Sequence, residues 1–313
     1  MTGAIFEVLV PGLWQVPAQN PDLATPSLLA RMLGRGRLVD STSPGWEAAT
    51  ADLLGFQRVS SGRRRWLALP VSLAAGMTDL VATRVEDLAS EEWESLRAAV
   101  LPEFEQAGAS WQPQVGDLPT LEIQGEGDWE GPPPSAGLGR PMRVPKLDNP
   151  VARRLQVLGN MVQMLWFEHP VNQERARSGR MPVQGLWFWS PGVPAAAPSV
   201  QRVAGGGSVA RWLAEGAGIA WSADPFDSQA ELVVIDVFSQ AEHGDRRDVL
   251  LQSLCSDVLA PRIARLRSGQ VAEICLHDPG AARLRLGRAD WRRFWRRGRP
   301  LAPKGFFGAA PPR

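Results

Sequence analysis

Short, nearly continuous apolar runs alternate along this chain with longer stretches whose apolar positions recur at helical spacing. IFEVLVPG (Ile5–Gly12) is a β-rich run closed by Pro-Gly. TPSLLARMLGRG (Thr25–Gly36) follows with helical spacing from Leu28 to Leu33 and glycines at its end. WLALPVSLAA (Trp66–Ala75) reads as a buried strand or strand pair. ASEEWESLRAAVLPEFEQAG (Ala89–Gly108) has a serine at the cap position, early acids and a closing glycine, which predicts a helix.

GEGDWEGPPPSAGLG (Gly125–Gly139) predicts a surface loop and a soft boundary between two halves of the chain. Beyond it, DNPVARRLQVLGNMVQMLWFEH from Asp148 begins with a cap residue and Pro. Apolar positions at Val151, Leu155, Leu158, Val162 and Leu165 predict a long amphipathic helix that delivers His169 at its C-terminal end. LWFWS predicts a strand, GSVARWLAEGAG a helix, and AELVVIDVFS (Ala230–Ser239) a buried parallel strand. A helix from Arg246 to about Arg267 and a strand at AEICLHD follow. This alternation predicts an α/β protein, a mainly parallel sheet with helices on both faces. The expected division is an N-terminal half of the core with an inserted segment (1–124), a Gly/Pro-rich connection (125–147), a C-terminal half (148–286) and a basic aromatic tail (287–313).

Charge and cysteine content narrow the function classes. The 313 residues carry 34 Lys and Arg against 33 Asp and Glu, a net +1 that argues against a protein devoted to nucleic acid. The balance is uneven, since Arg283–Arg313 holds ten basic residues against the single acid Asp290. Cys255 and Cys275 are too few and too far apart for a disulfide framework or a Cys-type zinc site. The N-terminus lacks a basic lead and a long apolar run, and no window reaches the roughly 18 apolar residues of a membrane span, so a cytoplasmic protein is expected.

In an open α/β sheet, ligands bind beyond the carboxyl ends of the strands. Two such ends carry polar candidates: FSQAEHGD with Ser239, Glu242, His243 and Asp245, and LHDPG with His277 and Asp278. A two-metal site needs several Asp and His ligands converging on two cations, and this supply is thin. In the stretch after the long helix, His169, Asn172, Arg175, Arg177 and Arg180 offer a second constellation. Guanidinium groups bind carboxylate and phosphate bidentately, so these residues could converge on a small anion; the alternative is a solvated, charged connection between a helix and a strand.

QMLWFEHPVNQERARSGRMPVQGLWFWSPG (Gln163–Gly192) resembles a segment of the archaeal-type, cofactor-independent phosphoglycerate mutases of the alkaline phosphatase-like superfamily. It resembles still more their proteobacterial relatives, the RpfE-type regulatory family. Weaker echoes span roughly Ile5 to Leu286. TPSLLARMLGRG is similar to the helix behind the superfamily's first metal site, LVVIDVFSQAEHGD to the strand ending in Asp-x-x-x-His, and CLHDPG stands where an Asp-His metal pair is expected. The resemblance implies an alkaline phosphatase-like fold with inserted or cap segments. It also implies a small-anion site at His169, Asn172, Arg175 and Gln184, where Gln184 replaces the family's usual Asn.

The departures from that pattern bear on activity. Gly12 and Leu13 stand where the mutases have Asp-Gly, Ser239 replaces the Asp of Asp-x-x-x-His, and the Asp-His pair is reversed as His277-Asp278. Only three histidines exist in all, and none of Ser60, Ser61 and Ser72 can be assigned as a phosphorylated nucleophile. With so few ligands the resemblance implies a catalytically degenerate protein, regulatory or partner-binding, with a retained small-anion pocket and no cofactor. Two alternatives stay open. One is an active mutase or phosphatase with divalent metal, Mn or Zn, held at His243, Asp245, His277 and Asp278. The other is a membrane or nucleic-acid adaptor, acting through the tail DWRRFWRRGRPLAPKGFF.

Overall fold

The computed structural model describes residues 4–14, 26–41, 43–76, 79–115, 118–142, 149–236, 244–293 and 296–298. The chain forms two units, Met1–Leu54 with Ala197–Arg313, and Gly55–Ala196 between them. The first opens with β1 (Ile5–Leu9), α1 (Ser27–Arg35), β2 (Arg37–Asp40) and α2 (Trp46–Leu53). The second contains β3 (Phe56–Gln57), β4 (Ser61–Ala75), β5 (Leu80–Arg84), α3 (Ser90–Gln106), β6 (Ala109–Val115) and β7 (Leu118–Glu126). It continues through α4 (Pro134–Gly137), β8 (Pro141–Met142), α5 (Pro150–Phe167), α6 (Pro170–Arg177), β9 (Gly185–Trp189) and β10 (Val193–Pro194). The chain returns to the first unit with β11 (Arg202–Gly205), α7 (Gly207–Gly216), β12 (Ala220–Ser222) and β13 (Leu232–Val234). It ends with α8 (Gly244–Ser253), α9 (Ala260–Ser268), β14 (Glu273–Asp278), β15 (Ala282–Gly287) and α10 (Arg288–Trp291).

The first unit is the expected α/β core. Its sheet runs β12-β11-β13-β1-β14-β15-β2, parallel from β12 to β14, with antiparallel β14–β15 and β15–β2 ladders at one edge. The α7 crossover steps from β11 toward one edge, whereas α8 and α9 step from β13 across β1 toward the other. Right-handed crossovers in opposite directions place helices on opposite faces. Burial agrees: Phe6, Val8, Val10, Ile274 and Leu276 share a core with Leu29 and Met32 of α1 and with Val258, Ile263 and Leu266. The alternate residues Leu9, Val203, Leu232 and Val234 are buried on the other side, with Val209, Trp212 and Leu213 of α7. Between α8 and α9 the helix widens to π geometry at Leu254–Leu259. Pro261, the second residue of α9, lies just beyond it; it has no N–H to return to the preceding turn, and its ring crowds that turn's carbonyl.

The second unit is built differently. Strand β4 runs for 15 residues as the spine of an antiparallel sheet. It pairs with β7 through Ser61–Leu67, with β9 through Leu67–Val71 and with β5 through Val71–Ala75. Pro70, which has no N–H to donate, sits near the changeover, and its carbonyl accepts the Val85 N–H at 3.0 Å. Trp66, Leu121, Ile123 and Phe188 of the sheet are buried with Trp93, Leu96, Val100 and Phe104 of α3 and with Val151, Leu155, Leu158, Val162 and Trp166 of α5.

Three expectations change. The Gly/Pro-rich run 125–147 falls inside the second unit and separates no halves of the core. Its described part is fastened to β9: Ser190 N–H donates to Glu130 O at 2.8 Å and Trp187 Nε1–H to Pro132 O at 2.9 Å. Gly131, at φ 73°, lies so close to the Phe188 carbonyl that a Cβ there would collide with it. Helix α3 starts one residue early, with Ser90 inside it and Glu92 accepting the Ala89 N–H at 3.1 Å. In α5, Leu165 is 41% exposed and Trp166 takes the core position instead. Among the described residues, no helix is long and apolar enough to cross a membrane.

Candidate functional site

The central motif lies in the second unit. Asn149 caps α5, accepting N–H from Val151 at 3.0 Å and Ala152 at 3.3 Å, and Pro150 occupies the first helical position. The helix stops at Phe167, and His169 begins the next one. Its Nδ1 accepts the Val171 N–H at 3.3 Å as an N-cap, and burial lowers its pKa, favouring the neutral ring that can accept. Asn172 is buried, and both ends of its amide are used. Nδ2 donates to Trp166 O at 2.7 Å and Val183 O at 2.8 Å, while Oδ1 accepts the Val183 N–H at 2.8 Å.

Arg175 is wholly buried, and each guanidinium nitrogen has an oxygen partner. Nε donates to Met181 O at 2.7 Å, Nη1 to Glu92 at 2.8 Å and Nη2 to Asp87 at 2.6 Å. The hydrogen bond from Arg175 holds the Asp87 carboxyl below its usual range. At Glu92 burial acts upward but is outweighed by the Ala89 N–H, Arg175 and Arg180. Gln184 Oε1 accepts Leu73 N–H at 2.9 Å and the Ser72 hydroxyl at 3.2 Å. Of the four residues expected to form an anion pocket, Asn172 and Arg175 therefore spend their polar groups on the protein itself, as do Nδ1 of His169 and Oε1 of Gln184. They staple α5 to α6, α6 to the segment before α3, and the approach to β9 onto β4.

The strand ends of the first unit hold the other candidates. His277 and Asp278 close β14 and project to opposite sides of the pleat. Asp278 Oδ1 accepts the Gly12 N–H at 2.9 Å and Oδ2 the Trp14 N–H at 2.8 Å, so both carboxylate oxygens close the turn after β1. Buried Arg247 grips the same turn from its carbonyls, donating through Nη2 to Gly12 O and Leu13 O, each at 2.8 Å. Burial lowers the Arg247 pKa, and the charges of Asp278 and Asp248 oppose that shift. Gly12 itself has φ 81°, the left-handed region where an aspartate would be strained.

On the other side of the pleat, His277 Nε2 lies 2.6 Å from the Ser41 hydroxyl, and its buried Nδ1 has no hydrogen-bond partner among the described residues. Burial, and then the nearby Arg283, push the His277 pKa down to about 4. A general base works best with a pKa near the operating pH, so this serine–histidine contact is a poor nucleophile–base pair. Nor do these donors fit a two-metal centre, because the carboxylate is committed to backbone and a guanidinium lies beside it. Among the described residues, no three His, Cys, Asp or Glu side chains are grouped to hold a metal ion. Ser239, Glu242 and His243 lie outside the described residues, as does the side chain of Asp245.

Sequence reasoning missed Arg247, Ser41 and Asp236. Asp236 follows β13, and burial raises its pKa. An acid inside the apolar run LVVIDVF was a visible signal for it, whereas nothing local in GDRRDVLL marks Arg247 as buried. At the start of the basic tail, Arg35 Nη1 donates to Trp291 O at 2.8 Å, and its guanidinium lies 4.8 Å from the Trp291 ring centre. The tail thus begins by packing on α1; Phe294, Trp295 and 299–313 lie outside the described residues.

No protein-family model matches the chain, and no curated protein matches it. Among solved structures it is similar to a cofactor-independent phosphoglycerate mutase from Thermoplasma acidophilum DSM 1728, at 16% identity over 91% of this chain and 89% of that one, with a TM-score of 0.44. It is also similar to the PH0037 protein from Pyrococcus horikoshii, at 13% identity over 92% and 88% of the two chains, with a TM-score of 0.46. Likeness at this level assigns no role to any residue here.

Proposed function

We propose that this chain is a catalytically degenerate, RpfE-type relative of the phosphoglycerate mutase-like proteins. It acts by a regulatory or interaction role with a protein partner and not by turnover. One observation carries the reading: the Asp278 carboxylate is closed onto the Gly12 and Trp14 N–H groups, with the Arg247 cation buried beside it. A fixed guanidinium supplies the positive charge that a divalent metal would otherwise bring to these strand ends, and it repels such a metal. The left-handed Gly12 supports the same conclusion, because the backbone there has settled into a form unsuited to the missing aspartate.

His169, Asn172, Arg175 and Gln184 belong in this reading to the scaffold, so no small-anion pocket is assigned to them. The test is a 3-phosphoglycerate mutase assay on the full chain with manganese present. No turnover above the uncatalysed rate is expected. Turnover that His243→Ala abolishes would establish the rival reading, an enzyme with an altered metal site at His243, Asp245, His277 and Asp278.

A further inference from the structure

The outer face of α5 carries an apolar strip with a charge at each end. Val157 is 58% exposed, Met164 77% and Leu165 41%, with Met161 half-buried between them. At about 100° per residue, Arg154, Val157, Met161, Met164, Leu165 and Glu168 fall within roughly one third of the helix circumference. Single exposed apolar residues are ordinary on a protein surface, but a contiguous strip on one helix face is the mark of an interaction surface.

The strip is symmetric about Met161. Val157 and Leu165 lie four residues to either side, and Arg154 and Glu168 lie seven residues to either side. The charges also run against the helix's own interest. A helix favours acids at its N-terminus and bases at its C-terminus, yet the first turn of α5 has no acid, its last turn has no base, and Glu168 stands at its C-cap. An antiparallel second helix reverses that sign, since its C-terminal Glu168 then meets the N-terminal Arg154 and the two macrodipoles oppose.

We propose that two copies of this chain pair through α5, antiparallel about a two-fold axis at Met161. Val157 of each copy then packs on Leu165 and Met164 of the other, and Arg154 pairs with Glu168. Arg154 already donates from Nη1 to Gln124 O at 2.6 Å, which steadies the side chain and leaves its other donors exposed. The 18-residue helix is about 27 Å long and presents roughly 300 Å². That is below the about 800 Å² per partner of a standard interface, so the dimer is weak and concentration-dependent. The proposal uses only second-unit residues and does not rest on the reading of the strand ends.

Sedimentation velocity on the full chain, from about 1 to about 200 μM, tests it. The wild type is expected to shift from monomer to dimer over this range. Arg154→Glu and Glu168→Arg should each weaken the dimer about tenfold, Met164→Lys should abolish it, and the charge-swapped double variant should return to within about threefold of wild type. Unchanged thermal melts would show the variants to be folded, as exposed positions allow. A chain monomeric throughout, a dimer indifferent to these changes, or a double variant without rescue would overturn the proposal. So would a monomer that instead binds phosphatidylcholine vesicles through this strip.

Discussion

Arg175 shows how little an arginine's presence says about what it binds. Its three nitrogens face Met181 O, Glu92 and Asp87, so its removal should register in stability and not in ligand affinity. Arg175→Ala is expected to cost about 2–4 kcal/mol by urea denaturation, at the lower end because Asp87 is half-exposed and solvated. Phosphate should not alter that loss. Arg175→Lys should recover only part of it, since an ammonium cannot reproduce the planar fork. His277 gives a pH signature. Its folded pKa is near 4 while an unfolded histidine titrates near about 6.5, so the unfolded chain binds more protons between these values. Stability from this group is complete above pH about 6.5 and is lost as pH falls toward about 4. His277→Asn should flatten that limb of a stability–pH curve, and an unchanged slope would contradict the account.

At the scale of elements, the α5–α6 corner depends on side chains that replace backbone partners. Asn172→Ala would strand the N–H and carbonyl of Val183, while the Trp166 carbonyl would keep the His169 N–H at 3.2 Å, at an expected cost of about 2–3 kcal/mol. Asn149→Ala, which removes a cap at a solvated helix end, should cost about 1 kcal/mol, and chemical denaturation of the pair measures the difference. Most elements were legible, because apolar spacing, caps and closing glycines act locally. The α1, α3, α5, α7 and β14 segments follow from such signals. What the sequence could not reveal was the use of the motif's polar atoms. Whether Asn172 faces an anion or Val183 depends on where residues 11 positions away return in space, and Arg175 depends on Asp87 and Glu92, more than 80 positions away. The same distance separates legible from illegible at the strand ends, where Arg247 reaches Gly12 across 235 positions.

At the scale of the whole molecule, the α/β core was legible from alternating strand and helix patterns, and an inserted segment was expected within 1–124, but its extent, Gly55–Ala196, was not legible. Antiparallel β4, β7 and β9 have the same apolar look as core strands, and their partners are set by long-range pairing. The insertion enters and leaves at adjacent points, with Ala195 N–H donating to Gly55 O at 3.0 Å and β3 paired to β10. A segment with adjacent ends and its own buried core should fold alone. Residues 55–196 expressed separately are expected to unfold cooperatively in denaturant, and a non-cooperative loss of signal would count against two self-sufficient units. The account's central claim is that the first unit's strand ends are locked by protein charge and not by metal. Equilibrium dialysis of the full chain against manganese and against zinc, with metal quantified per chain, tests it most directly. The account predicts well below one ion per chain at micromolar free metal. Two tightly held ions per chain, lost in His277→Ala or Asp278→Ala while the fold persists, would contradict it.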